Sequence, residues 1–162
     1  MSFAERISSP KGLTLMELVI AMAILAILAS TVLPLSQTVM RRTKELELRR
    51  NLRLLRTAID YYKEDFDRAV KEKKIIPSIN ETGYPDNLEE LVQGNNWGGL
   101  YPYKRKYLRR IPPDPFDEYE QGWGLRAYKD DPDSTIYSDE DVYDVSTQSI
   151  ETAMDGTQYK DW

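Results

Sequence analysis

Glu17 is the one charged residue between Leu13 and Leu35, in a stretch that is otherwise almost wholly apolar. An isolated charge in hydrocarbon is costly, so a carboxylate is kept there only with a partner. No Lys, Arg or His lies within the run to supply one. The chemistry open to Glu17 is an ion pair with a cation from elsewhere, or a carboxylate snorkelling to water at an interface. Acid–base and nucleophilic chemistry are narrowed at once, because the chain has no His and no Cys. That excludes disulfides, Cys/His zinc sites, histidine general bases and Ser-His-Asp triads. Asp and Glu pairs abound, but none stands in a recognisable catalytic motif, and no phosphate-binding glycine loop is present. The clusters Asp130, Asp131, Asp133 and Asp139, Glu140, Asp141 are rich in oxygens and read as solvated loops.

The cation Glu17 needs is suggested by what precedes it. Residues 1–12 are short and polar, carry Arg6 and Lys11, and end in glycine just before the apolar run. A secretory signal peptide is cut after its apolar stretch, beside small residues. Here the small residue comes before it, and glycine suits a protease that needs an extended, unhindered backbone. The stretch "KGLTLMELVIAMAILAILA" resembles the processing signal of type IV pilins and type II secretion pseudopilins. That pattern is a basic leader ending in Gly, a cut, a hydrophobic first residue, and Glu fifth after the cut. Leu13 stands where the family usually has Phe, and Pro34 falls where the family commonly has a proline.

The resemblance implies a prepilin peptidase that cuts after Gly12 on the cytoplasmic side and methylates the new amine of Leu13. It also implies a role for Glu17: on an incoming subunit it meets the Leu13 ammonium of a neighbour as a filament grows. Opposite charges about 4 Å apart interact by roughly 4 kcal/mol at an effective dielectric of 20. Arg41, Arg42 and Lys44 at the far end of the run outnumber Arg6 and Lys11 at the near end. The positive-inside rule therefore does not favour this orientation, and the cleavage motif decides it.

These residues need an element to carry them. About 20 apolar residues span a bilayer as a helix, so 13–36 reads as a membrane and assembly segment. Ala23, Ala26 and Ser30 give it a small-residue face for close helix approach. Pro34 removes a backbone donor, so a kink or local unwinding is expected there. The pattern continues as Leu48, Leu52, Leu55, Ile59, Tyr62, Phe66 and Ala69, one apolar stripe of an amphipathic helix over 37–74. A single helix from about Leu13 to Lys73, roughly 90 Å at 1.5 Å per residue, is expected to end before Pro77.

Residues 75–162 read as a small globular domain. "YPDNLEELVQG" is a short helix with Asp86 or Asn87 as N-cap and Gly94 as stop. Pro112, Pro113 and Pro115 mark a turn-rich stretch. Two or three short strands are expected around Gly122–Tyr128 and Asp141–Ser146. The fold class is α+β, a long N-terminal helix packed by its second half on a small C-terminal antiparallel sheet.

Charge is divided along the chain. Residues 41–74 hold 12 Lys/Arg against 7 Asp/Glu, whereas 111–162 hold 3 against 14. A basic helix joined to an acidic lobe suggests charge-complementary packing between copies. With a net charge of −5, nucleic acid is not an expected partner.

Within the family, "YPDNLEELV", "YLRRIPPDPF", "GWGLRAY" and "DVYDVSTQSIETAMDGTQYKDW" look most like the major pseudopilin of type II secretion. That resemblance implies a C-terminal loop that binds calcium, with Asp155 and Asp161 as acidic ligands and Ser149, Thr152 and Thr157 adding oxygens. The expected function is non-enzymatic. It is a single-pass inner-membrane subunit, its globular domain in the periplasm, embedded in lipid before it joins a homo-oligomeric pseudopilus. Minor pseudopilins and an inner-membrane assembly platform are the implied partners. A type IV pilus subunit is the alternative. A membrane-anchored periplasmic binding module or enzyme is the alternative of another class.

Overall fold

The computed structural model describes residues 12–132, 134 and 137–162, without the side chains of 31–35. The leader residues 1–11 lie outside this range, as does the Pro34 side chain. The chain divides into two units, residues 1–41 and 42–162. The fold class is the α+β one expected: helix α1 (Leu15–Lys71), helix α2 (Leu88–Gln93), and strands β1 (Gly124–Arg126) and β2 (Asp144–Ser146).

α1 is assigned as one helix through Pro34, and its ends fall within two residues of those read from the sequence. In the first unit the described side chains of α1 are exposed except that of Arg41, which is half-buried; Met16 is 72% exposed and Ile27 68%. Among the described residues no helix is long and apolar enough to cross a membrane.

In the second unit the stripe is buried as its spacing demands. Leu48, Leu55, Ile59 and Ala69 are fully buried and Leu52, Tyr62 and Phe66 nearly so. Each large apolar side chain so buried contributes about 1.5–3 kcal/mol. Trp97 sits edge-on to Tyr62, 4.7 Å between ring centres, and to Phe66 at 5.8 Å. Gly83 lies over Phe66 at φ +84°, and a Cβ there would come within 2.3 Å of the ring. The helix ends with Lys73 in the left-handed region, Lys74 N–H closing on the Ala69 carbonyl at 2.9 Å.

α2 forms as its sequence dictates. Asn87 Oδ1 accepts from Glu90 N–H at 3.2 Å, Leu88 and Leu91 face the core, and Gly94 ends it at φ +74°. The two strands are shorter than expected and pair antiparallel with Leu125 opposite Val145. Trp123 and Ala127 are buried, but Gly124, Leu125 and Arg126 between them are all half-buried, so alternation is blurred there; it fails at Val142 to Val145, where both valines are buried and Tyr143 is exposed. The reason is that Val142 precedes β2 and donates instead to the Pro85 carbonyl at 2.8 Å.

One buried charge fastens the turn-rich stretch to α1. Asp65 is 1% exposed. Its Oδ1 accepts from the Tyr101 hydroxyl at 2.8 Å and Arg105 Nη1 at 3.0 Å, and its Oδ2 from the Tyr107 hydroxyl at 2.6 Å. Tyr62 donates likewise to Glu90 at 2.6 Å. Burial, then the neighbouring carboxylate, pushes the phenols of Tyr62 and Tyr107 well above their ordinary value. A phenol held neutral in the folded chain adds stability below the unfolded pKa of about 10 and loses it as pH rises past that value. The melting temperature is expected to fall steadily above about pH 10, and less steeply in Tyr62→Phe. A flat profile in that range would show that neither phenol is coupled to folding.

Candidate processing and assembly site

The Gly12–Leu13 bond lies in non-helical backbone just ahead of α1. Leu13 is 71% exposed, and a Cβ added at Gly12 meets nothing within 4 Å. Thr14 then starts the helix. Its hydroxyl accepts from Glu17 N–H at 3.2 Å, and its carbonyl accepts from Leu18 N–H at 3.1 Å. This is N-capping by a side chain, with Glu17 in the first turn, where the helix dipole favours a negative charge. The Thr-x-x-Glu spacing of Thr14 and Glu17 is the sequence signal for such a cap, and the reading by apolar pattern alone passed over it. The structure thus sets three features in order along the chain: an exposed bond outside the helix, a cap one residue later, and a carboxylate on the first turn. The carboxylate of Glu17 has no partner among the described residues.

The C-terminal loop is held to α1 by side chains that sequence reading did not single out. Glu45 Oε1 accepts from Met154 N–H and from the Tyr159 hydroxyl, both at 2.8 Å. Arg49 pairs with Asp155 at 3.1 Å and lies 4.0 Å from the centre of the Trp162 ring. Arg56 donates to Asp144 Oδ1 at 2.7 Å and to the Trp162 carbonyl at 2.6 Å. Their spacing on one flank of the buried stripe is the only signal the sequence carries for them.

The residues expected to hold calcium are placed as follows. Asp155 Oδ1 accepts from the backbone and hydroxyl of Thr157, at 3.0 and 2.6 Å, while Oδ2 receives Arg49. These contacts hold the Asp155 carboxyl below its usual range, the Thr157 hydroxyl first among them. Thr157 Oγ1 also accepts from Trp162 Nε1 at 2.7 Å. Asp161 lies in a 3-10 turn, Tyr159–Asp161. Ser149 Oγ accepts from Glu151 N–H, and Thr152 forms a bridge with Gln158. Among the described residues no three carboxylates gather to hold a metal. Both oxygens of Asp155 accept hydrogen bonds within the fold. Elsewhere Asp114 Oδ2 is buried without a partner among the described residues, beside a cavity of about 290 Å³ that Asp117 and Glu151 also line.

The family model for the prokaryotic N-terminal methylation motif matches residues 7–33. No curated protein and no solved structure compared with the chain matches it. The chain therefore carries a type IV pilin-like N-terminal signal, over the residues that hold Gly12, Leu13 and Glu17. That signal implies processing by a prepilin peptidase and suggests an N-terminally membrane-anchored subunit of pilin or pseudopilin type, with a structural role.

Proposed function

We propose that the chain is the structural subunit of a pseudopilus that drives type II protein secretion. Peptidase cleavage after Gly12 leaves an N-methylated Leu13, and Glu17 of each arriving subunit pairs with that ammonium on its neighbour. In this reading 1–12 is the leader, 13–36 the membrane and assembly segment, 37–74 the amphipathic half of the helix and 75–162 the globular domain. The observation that carries it is the methylation motif lying across a bond that is exposed and outside the helix. Among the described residues nothing packs closely enough on Gly12 to require glycine, so a small residue there fits an outside requirement, such as a protease subsite.

Mass spectrometry of the native protein is expected to find a chain that begins at N-methylated Leu13. A chain retaining residues 1–12 defeats the proposal. Where the filament lies separates the two assembly readings. A filament confined to the periplasm supports secretion, and one extending from the cell surface supports a type IV pilus.

For calcium we propose a competition, in which the ion can take the C-terminal loop only when Arg49 releases Asp155. Millimolar calcium is then expected to leave the melting temperature of the full chain unchanged and to raise that of Arg49→Ala. Stabilisation of the unaltered chain would mean that Arg49 yields to the ion, and no response in either chain would remove calcium from the loop.

A further inference from the structure

One side of α1 in the second unit is turned away from the buried stripe yet is not polar. Leu46, Arg50 and Leu54 recur at steps of four and so line a single face. Leu46 is 64% exposed and Leu54 48%. With Arg109, Arg110 and Pro112 they form a groove of about 750 Å³. Glu47 is the one carboxylate in it. Arg50, Arg109 and Arg110 make no ion pair among the described residues. The groove thus sets exposed leucines beside three arginines.

The same unit carries an exposed turn of opposite character. The segment Asp117–Gln121 is folded on itself by the Asp117 carboxylate, which accepts from the backbone N–H groups of Tyr119, Gln121 and Gly122 at 3.2, 3.0 and 2.6 Å. Glu120 is held in the left-handed region at φ +54°. What this preformed turn offers to solvent is Tyr119, 80% exposed, between Glu118 and Glu120. Neither glutamate forms an ion pair among the described residues.

We infer that the Tyr119 turn of one copy docks in the Leu46–Leu54 groove of a second copy. The tyrosine ring lies on the two leucines, and Glu118 and Glu120 meet the arginines of the groove. The match is one of charge and of shape class. An aromatic knob on a rigid turn loses little freedom on binding, and tyrosine and arginine are the residue types that anchor interfaces. Knob and groove are different surfaces of one chain, so the contact is heterologous and does not close on itself as a two-fold dimer does. Repeated, it makes an open polymer. The inference rests on the filament reading above and names the surfaces that the globular halves would use.

The chain has no cysteine, so introduced thiols report without background. The full chain is expressed with a prepilin peptidase and assembly platform, and filaments are examined after mild oxidation. Tyr119→Cys combined with Leu54→Cys is expected to give a ladder of cross-linked dimers, trimers and higher species. Neither single substitution is expected to extend beyond a dimer. Arg109→Glu with Arg110→Glu sets like charges together and is expected to cut the ladder by about tenfold or more. Glu118→Arg with Glu120→Arg does the same alone, and the four changes together restore it. All four positions are exposed, so folding is not at stake. Filaments that form without a ladder, or that ignore the charge reversals, overturn the docking assignment and leave the filament reading standing. No filament from the unaltered chain overturns both.

Discussion

Glu17→Ala is expected to insert in the membrane and to be cut after Gly12 as the unaltered chain is, and then to fail to assemble. The capping geometry makes this expectation sharp. Thr14 accepts from the backbone N–H of residue 17, which alanine retains, so the start of α1 survives the change. What alanine removes is the carboxylate. As a charge on the first turn of a helix, that carboxylate is worth about 0.3–1 kcal/mol. As one half of a desolvated ion pair with the ammonium of Leu13, its loss costs about 3–5 kcal/mol at each subunit contact. The larger figure corresponds to a fall of at least about a hundredfold in filament yield, measured by shearing or pelleting filaments from membranes. Thr14→Ala is the control for the smaller effect. It removes the cap, costs about 0.5–2 kcal/mol of helix stability, and is expected to lower yield modestly. Equal yields from Glu17→Ala and the unaltered chain would show that the carboxylate serves the helix start and not assembly.

The second large effect is on stability. Asp65→Ala leaves Arg105, Tyr101 and Tyr107 facing a site that held two carboxylate oxygens. Breaking a buried pair by removing one partner costs about 3–5 kcal/mol. For a chain of this size each kcal/mol lowers the melting temperature by about 2–4 °C, so a drop on the order of 10 °C is expected in a thermal melt. Asp65→Asn keeps an acceptor for one phenol while losing the charge, and should fall between. A drop of under about 3 °C for Asp65→Ala would mean that water takes over the hydrogen bonds the carboxylate accepted.

These two residues were unequally legible. Glu17 announces itself because a charge inside an apolar run violates the local pattern, and a violation is visible one residue at a time. Asp65 is just as anomalous, buried among the stripe of α1 between Tyr62 and Ala69, but its three partners come from 36 to 42 residues away. No spacing rule reaches across that distance. The C-terminal loop makes the same point in reverse. The family resemblance names Asp155 and Asp161 as oxygens for calcium, and sequence spacing alone does not show what else they meet. Folded, Asp155 faces Arg49, a residue 106 positions earlier. Whether a carboxylate is open to a metal depends on which cation lies across from it, and that is a tertiary fact.

Sequence alone determined the periodic and the local features. The buried stripe from Leu48 to Ala69, the caps of α2 at Asn87 and Gly94, the ends of α1 within two residues, the α+β class and the processing signal all follow from neighbours within a few positions. Helical period, turn chemistry and capping are short-range physics, and each residue carries its own part of the signal. Tertiary structure decided how the acids and bases are shared out. It bound Glu45, Arg49 and Arg56 to the C-terminal loop and buried Asp65 under two tyrosines and an arginine. It also left Arg50, Arg109 and Arg110 beside exposed leucines without an ion pair among the described residues. Those pairings follow from distances between segments far apart in the chain, and charge acts through space, where sequence order carries no information.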